Sequence, residues 1–424
     1  MKFTRVFAFM ALAGMAGSAF ATNGDNLIGL GAQSRALGGT GTAAFFGSEN
    51  ALTNPALLGK MQGTEFAIGG TVFMPDVKAT SNVATPPGTS ASATSDADLS
   101  VIPEVSLATR INDNLTFGLG MYGTAGMGVD YRGEDPLNNG GLFQAYTNLQ
   151  LMKFVPSLAY NNGAFGVGAA AVIQYGALDM NYVTPGGTVG DGTATDLGFG
   201  FNLGGYYDVT KDLTVGLAYQ SEIGMNYDHQ LTIAADGFGV GPNGMGVITS
   251  NDLAQPAEIK AGVAYTMGPW MFTGDYKRIM WSDADGYKDF NWDDQDVFGL
   301  GVKYSANGWW VGVGFNHGDD PIQVLPNASG MTGYANQAIN MFNNHFFPAV
   351  VEDHLTVGGG VSLGKNTMLE GALVYADETS KTIDTGSISG LLGAGNPDAF
   401  PANATTHTVD HSQLGITVSV RMNF

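Results

Sequence analysis

The segment from Leu414 to Phe424 alternates between apolar and small or polar residues, and this pattern constrains the fold more than any other feature of the chain. The apolar positions are Leu414, Ile416, Val418, Val420, Met422 and Phe424; Gly415, Thr417, Ser419, Arg421 and Asn423 lie between them. Successive side chains of a β-strand point to opposite faces. The pattern is typical of a strand with lipid on one side and a polar lumen on the other, although a half-buried strand of a soluble sandwich also alternates.

Three further segments repeat this alternation, at 213–219, 259–265 and 298–304. Each carries apolar residues at every second position, mostly separated by glycine, alanine, threonine or lysine. Each ends on a tyrosine, as expected where aromatic residues form a girdle at the membrane interface. The sequence therefore predicts a transmembrane barrel built from many such strands.

The composition supports this class and excludes others. Only 13% of the residues are charged, which is few for a soluble surface of this size, and 63 glycines interrupt the apolar segments. No segment matches the run of about 20 apolar residues that a permanent membrane-spanning helix needs. The net charge of −21 argues against a nucleic-acid partner. Because the chain has no cysteine, disulfides and thiolate metal sites are excluded, and we expect no cofactor or metal.

The first 21 residues have the pattern of a secretory signal peptide. Lys2 and Arg5 give a positive start, 7–20 is apolar, and Ala19 and Ala21 form a small-x-small cleavage pattern. We therefore expect a signal peptide over 1–21, a plug or hatch over 22–60 and a transmembrane β-barrel over 61–424.

The strand count follows from the spacing of the connections. Short connections lie at 111–113, 161–163, 210–212, 267–269, 305–308 and 364–366, and long ones at 77–97, 129–143, 185–192, 232–255, 283–291, 318–350 and 381–408. Short turns at one end and long loops at the other are typical of outer-membrane barrels. Six short and seven long connections predict 14 antiparallel strands. Because strand boundaries read from sequence shift by a few residues, counts of about 12 or about 16 strands are the alternatives.

The barrel must close and its lumen must be filled or open. Unpaired backbone groups are costly in hydrocarbon, so 64–76 is expected to pair with 409–424. A barrel of this size is too wide for wall side chains alone to fill. The segment 22–60 is rich in glycine, lacks sustained alternation and carries short apolar patches, so we expect it to fold into a small helical hatch in the lumen.

The run SRALGGTGTAAFFGSENALTNPALL at 34–58 resembles the hatch of the FadL/TodX family of outer-membrane transporters of long-chain fatty acids and aromatic hydrocarbons. The resemblance rests on Arg35-Ala36, on the glycine-rich step at 38–41 and on Asn54-Pro55-Ala56. It continues in QPAEIKAGVAY at 255–265, DYKRIMWSD at 275–283, WDDQDVFGLGVKY at 292–304 and FPAVVEDHLTVGGG at 347–360. The long loops match poorly.

The resemblance implies a barrel of 14 strands, a lumen blocked by the hatch, and a side exit where the third strand kinks inward. Substrate then leaves into the membrane and not into the periplasm. Arg35, Asn54, Pro55 and Ala56 are expected to anchor and shape the hatch. A molecule of low polarity has no reason to enter water when an apolar gap opens into lipid.

The third predicted strand, NLTFGLGMYGTAGMGVDY, carries the candidate kink at Gly123, Gly126 and Gly128. Glycines permit the bulge and bend that a wall opening requires. They equally permit close packing of the hatch against an unbroken wall.

The fourth long loop supplies candidate substrate contacts. Its apolar residues are Phe238, Val240, Met245, Val247 and Ile248, spaced by glycine. In the family, the third and fourth outer loops form a capture groove, so these residues are expected to bind substrate there. A glycine-rich loop with incidental apolar residues is the alternative.

Four cations face the lumen by alternation: Lys260, Lys277, Lys303 and Arg421. Each is a candidate for binding a carboxylate head group. Pairing with acids of the hatch or of neighbouring strands, among them Glu258, Asp275 and Glu370, is the favoured alternative.

The sequence thus predicts a monomeric outer-membrane barrel that passively imports hydrophobic small molecules. Its other expected partners are outer-membrane lipid and lipopolysaccharide. A general diffusion porin for polar solutes is the main alternative. An outer-membrane enzyme is a second alternative. The sequence offers no convincing pair of a nucleophile and its base that would support it.

Overall fold

A computed structural model of the chain describes residues 22–83, 90–133, 144–184 and 187–424. The predicted signal peptide lies outside these residues. Fourteen long antiparallel strands form one closed sheet, which confirms the predicted strand count. The strands are β1 (Thr64–Ser81), β2 (Ser100–Arg110), β3 (Leu115–Met127), β4 (Tyr146–Asn161), β5 (Phe165–Thr184), β6 (Ala194–Asp208), β7 (Leu213–Gln220), β8 (Glu258–Met267), β9 (Trp270–Ile279), β10 (Gln295–Ala306), β11 (Trp309–Gly318), β12 (Asp353–Ser362), β13 (Thr367–Asp384) and β14 (Thr406–Asn423).

The barrel closes between its first and last strands, as predicted. β1 pairs with β14 from Glu65–Asn423 to Ser81–His407. The alternation along β14 has its predicted meaning: Ile416 and Val418 are 40% and 54% exposed, whereas Thr417 between them is 1% exposed. Apolar side chains therefore form the outer surface and small polar ones face the interior.

The six short connections lie where the sequence predicts them. The predicted loops at 77–97 and 381–408 are wrong at their edges, because β1 continues to Ser81, β13 continues to Asp384 and β14 begins at Thr406. A short strand, Ala91–Thr94, also pairs with the end of β1. Backbone pairing continues in these extensions, but their outward-facing residues, such as Lys78 and Thr80, are polar, so the apolar outer face that marks the rest of each strand is absent there.

The segment before β1 lies inside the barrel. It contains helix α1 (Gly31–Ala36), helix α2 (Asn50–Thr53) and a 3-10 helix (Pro55–Lys60), besides the short strands Thr22–Asn23 and Asn26–Leu27. Its glycine-rich step touches the wall directly. A Cβ atom on Gly38, whose φ is +68°, would lie 2.3 Å from the backbone oxygen of Phe315 on β11. Glycine at this position lets the two backbones meet.

The long connections carry the remaining helices. These are α3 (Leu231–Gly237), α4 (Gly330–Phe346) and α5 (Gly386–Ala394), with 3-10 helices at Tyr287–Phe290 and Pro397–Ala399 and a short strand at Gly187–Val189. Phe342 and Phe346 of α4 pack against Phe238 and make an aromatic cluster at this end of the barrel. Among the described residues, no helix has both the length and the apolar character needed to cross a membrane.

Candidate functional site

Glu104 of β2 connects the hatch to the barrel wall. Its carboxylate pairs with the guanidinium of Arg35, and both side chains are buried. The second carboxylate oxygen of Glu104 accepts a hydrogen bond of 3.0 Å from the backbone N–H of Gly31. One carboxylate therefore contacts both ends of α1, and the anchoring role of Arg35 stays a prediction.

Arg421 forms a second and larger anchor. Its guanidinium lies 2.9 Å from Glu49 of the hatch, 2.5 Å from Glu65 of β1 and 3.1 Å from Glu370 of β13. All four side chains are buried. Burial, together with the neighbouring carboxylates Glu65 and Glu370, raises the pKa of the Glu49 carboxyl to about 7, although Arg421 acts in the opposite direction.

Asn54 connects three parts of the hatch and wall. Its amide nitrogen donates to the carbonyl oxygens of Thr42 at 2.7 Å and Gly205 at 3.2 Å. Its amide oxygen accepts from the backbone N–H of Ala56 at 3.1 Å and so caps the 3-10 helix that Pro55 begins. Asn54, Pro55 and Ala56 are all buried.

The hydrogen-bonded pairing between β2 and β3 ends before either strand does. The ladder runs from Arg110–Thr116 to Glu104–Tyr122, and no pairing between the described residues of these two strands lies beyond that point. β2 remains paired to β1 as far as Ser100, and β3 remains paired to β4 as far as Met127. Backbone pairing is therefore absent between 100–103 of β2 and 123–127 of β3, and we call this break in the ladder the wall opening.

The end of β3 is buried on both faces. Every residue from Tyr122 to Met127 is buried, including Gly126, which is paired with Gln150 on the more exposed face of β4. The register with β4 shifts between Gly123 and Ala125, so Thr124 forms a bulge. A Cβ atom on Gly123 would lie 2.6 Å from the Ile102 side chain, and one on Gly128 would lie 2.1 Å from a backbone oxygen of β4.

The hatch occupies the inner side of this bulge. Asn26 pairs with Ala125, and the carbonyl oxygen of Asp25 accepts a hydrogen bond of 3.1 Å from the N–H of Gly126. The Asp25 carboxylate accepts 2.6 Å and 3.0 Å hydrogen bonds from Tyr287 and Gln255. Burial raises the pKa of the Asp25 carboxyl to about 6.

A cavity of about 80 Å³ lies between the hatch and the wall. It contains three lysines, Lys153 of β4, Lys260 of β8 and Lys277 of β9, together with the acids Glu258 and Asp275. We call it the lysine chamber. Lys260 pairs with Glu258 at 2.8 Å, as the favoured alternative expected.

The other two predicted lumen cations lie outside the lysine chamber. Lys303 donates a 2.8 Å hydrogen bond to Gln33 of the hatch and lies over the Phe46 ring at 5.4 Å, so its partners are not acids. Arg421 pairs with acids, Glu370 among them, as the favoured alternative expected.

Sequence reasoning did not find Lys153 or Glu104. Lys153 lies on the same face of β4 as Leu149 and Leu151, which are also buried, so this strand has no polar inner face to mark the lumen. Glu104 is the one acidic residue of β2. Glu104 lies at every second position with Ile102 and Ser106, and this spacing was the signal available in the sequence that its side chain points into the lumen.

The five loop residues predicted to form a groove have different environments. Val240 and Ile248 are fully buried within the packed loop and do not line a surface. Met245 and Val247 are exposed, whereas Phe238 packs against the rings of α4. Burial separates them because the loop folds back on itself: the N–H groups of Val247 and Ile248 both donate to the carbonyl oxygen of Val240.

A closed barrel of fourteen strands, with an apolar exterior and an N-terminal hatch in its lumen, defines the class of plugged outer-membrane barrels. The family model described as outer membrane protein transport protein (OMPP1/FadL/TodX) matches residues 7–324. The chain belongs to this family, and its location is the outer membrane.

The curated relatives match part of the chain. A long-chain fatty acid transport protein of Escherichia coli O6:H1 is 27% identical over 221 residues, which cover 46% of this chain and 48% of the relative. A protein of the same description from Shigella flexneri is 26% identical over 244 residues, 49% of this chain and 53% of the relative. The chain spans about half the length of the curated relatives that it matches.

Solved structures match over nearly the whole chain. The P. putida toluene transporter TodX has a TM-score of 0.63 at 16% identity and covers 94% of this chain and 99% of its own. A Pseudomonas aeruginosa FadL homologue has a TM-score of 0.69 at 14% identity, with coverages of 95% and 100%. At these identities the likeness establishes the fold alone.

Proposed function

We propose that this protein passively imports hydrophobic small molecules, which enter the barrel from outside and leave sideways through the wall opening into the membrane. The observation that carries the proposal is the end of the β2–β3 ladder at Glu104–Tyr122, combined with the burial of both faces of β3 beyond it. An ordinary barrel strand keeps its pairing and its lipid face along its length.

The surroundings of the wall opening favour an apolar solute. Leu99 and Val101, on its β2 side, are both exposed large apolar residues, and the buried side chain of Ile102 packs with Leu27 and Ile28 of the hatch. An alkyl chain gains about 0.8 kcal/mol for each methylene removed from water. A solute that passes from this lining into lipid keeps that gain, whereas one released into the periplasm loses it.

Passage requires the hatch to move, because Asp25 and Asn26 of the hatch are paired with β3 at the wall opening. The relatives described as transporters of long-chain fatty acids and of toluene support a hydrophobic substrate. No catalytic step is part of the proposal. The barrel acts as a monomer without a cofactor, surrounded by outer-membrane lipid and lipopolysaccharide.

A reversible cross-link between hatch and wall tests this proposal. The hydroxyl oxygens of Ser48 in the hatch and Ser106 in β2 are 2.7 Å apart, so Ser48→Cys with Ser106→Cys brings two thiols within disulfide range. The chain has no other cysteine. We expect uptake of a radiolabelled fatty acid and of toluene by cells to be nearly abolished under oxidation and restored by a reductant.

The matched control is a disulfide that joins wall to wall. Thr71 of β1 and Thr417 of β14 also have hydroxyl oxygens 2.7 Å apart and are buried in the lumen. Their double cysteine variant is expected to take up substrate equally well when oxidised and when reduced. Normal uptake with the hatch locked contradicts the proposal, and rapid swelling of sugar-loaded liposomes containing the native protein favours a diffusion porin instead.

A further inference from the structure

Two of the long connections enclose a second cavity at the outer end of the barrel. It lies between 327–337, in the connection from β11 to β12, and 384–402, which runs from the end of β13 into its connection with β14. Its volume is about 360 Å³, within the range of about 300–1,000 Å³ that small-molecule pockets occupy. No described residue of the hatch or of the wall opening lines it. We call it the loop cavity.

The floor of the loop cavity is buried and is held by one amide. Gln337 of α4 and Ser387 at the start of α5 line the cavity and are only 2% and 8% exposed. The Gln337 amide oxygen accepts a 2.7 Å hydrogen bond from the N–H of Ser387, and its amide nitrogen donates a 3.1 Å bond to Asn327. Asp398 accepts a 2.8 Å bond from the N–H of Gly330. These bonds join the two connections, so the polar groups of the cavity are positioned before a ligand arrives.

Several polar atoms of this lining remain without partners. One carboxylate oxygen of Asp384 accepts a 2.8 Å hydrogen bond from the N–H of Gly386, whereas the other is buried and makes no hydrogen bond with a described residue. The hydroxyl groups of Ser329 and Ser387 and the amide nitrogen of Asn327 also make none within the described part of the chain. Buried polar atoms in native proteins nearly always have a partner. The unpaired Asp384 oxygen therefore marks a position for a donor that the chain itself does not provide.

The charge and polarity of the lining exclude the substrate proposed for transport. Asp384 and Asp398 both line the loop cavity, and no described lysine, arginine or histidine does so. Two carboxylates without a cation repel a phosphate or a fatty acid carboxylate. The aromatic side chain of the lining is Phe400, which lies beside Pro397 and Pro401 in the sequence, and the floor is polar, so an alkyl chain finds no continuous apolar surface. The cavity is suited to a neutral, polar ligand.

A hexose ring matches this combination of groups. Its hydroxyl groups donate to carboxylate oxygens, and a hydrogen bond to an ionised acceptor is about twice as strong as a neutral one. The same hydroxyl groups accept from the amide nitrogen of Asn327 and bond to the hydroxyls of Ser329 and Ser387. The C–H face of the ring is apolar and complements the Phe400 side chain.

We propose that the loop cavity binds a neutral hexose unit, with Asp384, Asp398 and Asn327 bonding to its hydroxyl groups and Phe400 against its ring. Lipopolysaccharide presents sugars on the outer side of the membrane, and a soluble saccharide presents the same chemistry. The site is separate from the path proposed for hydrophobic molecules, so it is a second binding function of the outer loops.

Saturation-transfer NMR of the purified full-length protein tests the inference, in a polyoxyethylene detergent that carries no sugar head group. The probes are the methyl glycosides of glucose, galactose and N-acetylglucosamine, with cyclohexanol as a six-membered ring that has one hydroxyl group. We expect at least one glycoside to bind and cyclohexanol not to bind. Asp384→Asn keeps an acceptor for Gly386 and replaces the unpaired oxygen by a donor, so we expect glycoside affinity to fall on the order of tenfold. Phe400→Ala is expected to lower it as well.

A second titration distinguishes the two sources of the sugar. Lipopolysaccharide with a complete core and lipopolysaccharide truncated to its innermost sugars are added in the same detergent. Binding of the complete form in preference to the truncated form supports the inference and assigns lipopolysaccharide as the source. Binding of a glycoside, with neither lipopolysaccharide bound, supports it and assigns a soluble saccharide.

The matched control is Asp283→Asn, which changes an exposed acid in the connection between β9 and β10 and is expected to retain sugar binding. Folding is checked by the mobility of unheated protein on denaturing gels. The inference is overturned if the native protein binds no glycoside and neither lipopolysaccharide, if cyclohexanol binds as well as the glycosides, or if the Asp384→Asn, Phe400→Ala double variant binds sugar normally. Uptake of fatty acid is expected to be unchanged in all these variants, so failure here leaves the transport proposal standing.

Discussion

Two cationic sites face the same hatch from the same wall, and they differ in how many acids they contact. Arg421 contacts three carboxylates and Glu49 among them belongs to the hatch. Lys153, which is equally buried, and Lys277, which is partly exposed, contact none among the described residues. A fully paired buried cation offsets its desolvation cost through its partners, whereas a buried cation without a partner bears that cost uncompensated.

The largest effect is expected at Arg421. Arg421→Met leaves Glu49, Glu65 and Glu370 buried together without a counter-charge, which costs about 3–5 kcal/mol. We expect lower stability of the barrel in urea, followed by tryptophan fluorescence, and faster leakage of sugars from liposomes because the hatch loses its anchor. Lys277→Met in the same assays is expected to be neutral or stabilising, since it relieves repulsion from Lys260. Equal losses for the two variants would contradict the distinction between a paired and an unpaired lumen cation.

A smaller effect is expected at Asn54, which holds the hatch without charge. Asn54→Ala removes hydrogen bonds to Thr42 and Gly205 and the cap of the 3-10 helix, at a cost of about 1–2 kcal/mol. We expect a moderate rise in sugar leakage and altered fatty acid uptake at equal surface abundance. Pro55→Ala is expected to act in the same direction but more weakly, because its main effect is to increase the backbone conformational entropy of the unfolded chain.

The chain contains a matched control for Asn54. Asn396 also precedes a proline and caps a 3-10 helix by accepting from the N–H of Asp398 at 3.1 Å, but it lies in an exposed loop far from the hatch. Asn396→Ala is expected to leave leakage and uptake unchanged. A rise in leakage in this variant would mean that the assay reports loss of the cap and not loosening of the hatch.

The smallest effect is expected from Glu49→Gln, as a change in pH dependence. Because the pKa of Glu49 is raised to about 7 from its ordinary 4.5, the folded protein binds a proton in this range that the unfolded chain does not. Its contribution therefore stabilises the fold as pH falls from about 7 toward 4.5 and is lost as pH rises through 7. We expect Glu49→Gln to reduce the difference between urea unfolding midpoints at about pH 5.5 and about pH 8. An unaltered difference would contradict the assignment.

Prediction from sequence succeeded for the wall because its signal is local. The alternation in β14 needs only the period of a strand and a lipid exterior, and the six short turns follow from it. It failed at the extensions of β1 and β13, where pairing continues without an apolar face. The resemblance pointed to Gly123–Gly128 in the third strand, but the loss of pairing with β2 became visible only in the ladder itself.

The site residues show the same limit. Alternation placed Lys260, Lys277, Lys303 and Arg421 in the lumen, and all four side chains lie there. It did not indicate which would be paired, because their partners come from strands and hatch segments far away in sequence. Arg421 and Glu49, for instance, are 372 residues apart.

The sequence by itself determined that this chain forms a closed, lipid-facing barrel preceded by a compact segment, since strand period and turn spacing are properties of short stretches. Tertiary structure alone decided where the wall loses its pairing. It also decided which lumen cations form ion pairs with acids and which do not. Both features depend on how the closed barrel brings β2, β4, β8 and β9 into contact with residues 23–54 of the hatch. These contacts join residues far apart in the sequence, so no local pattern encodes them.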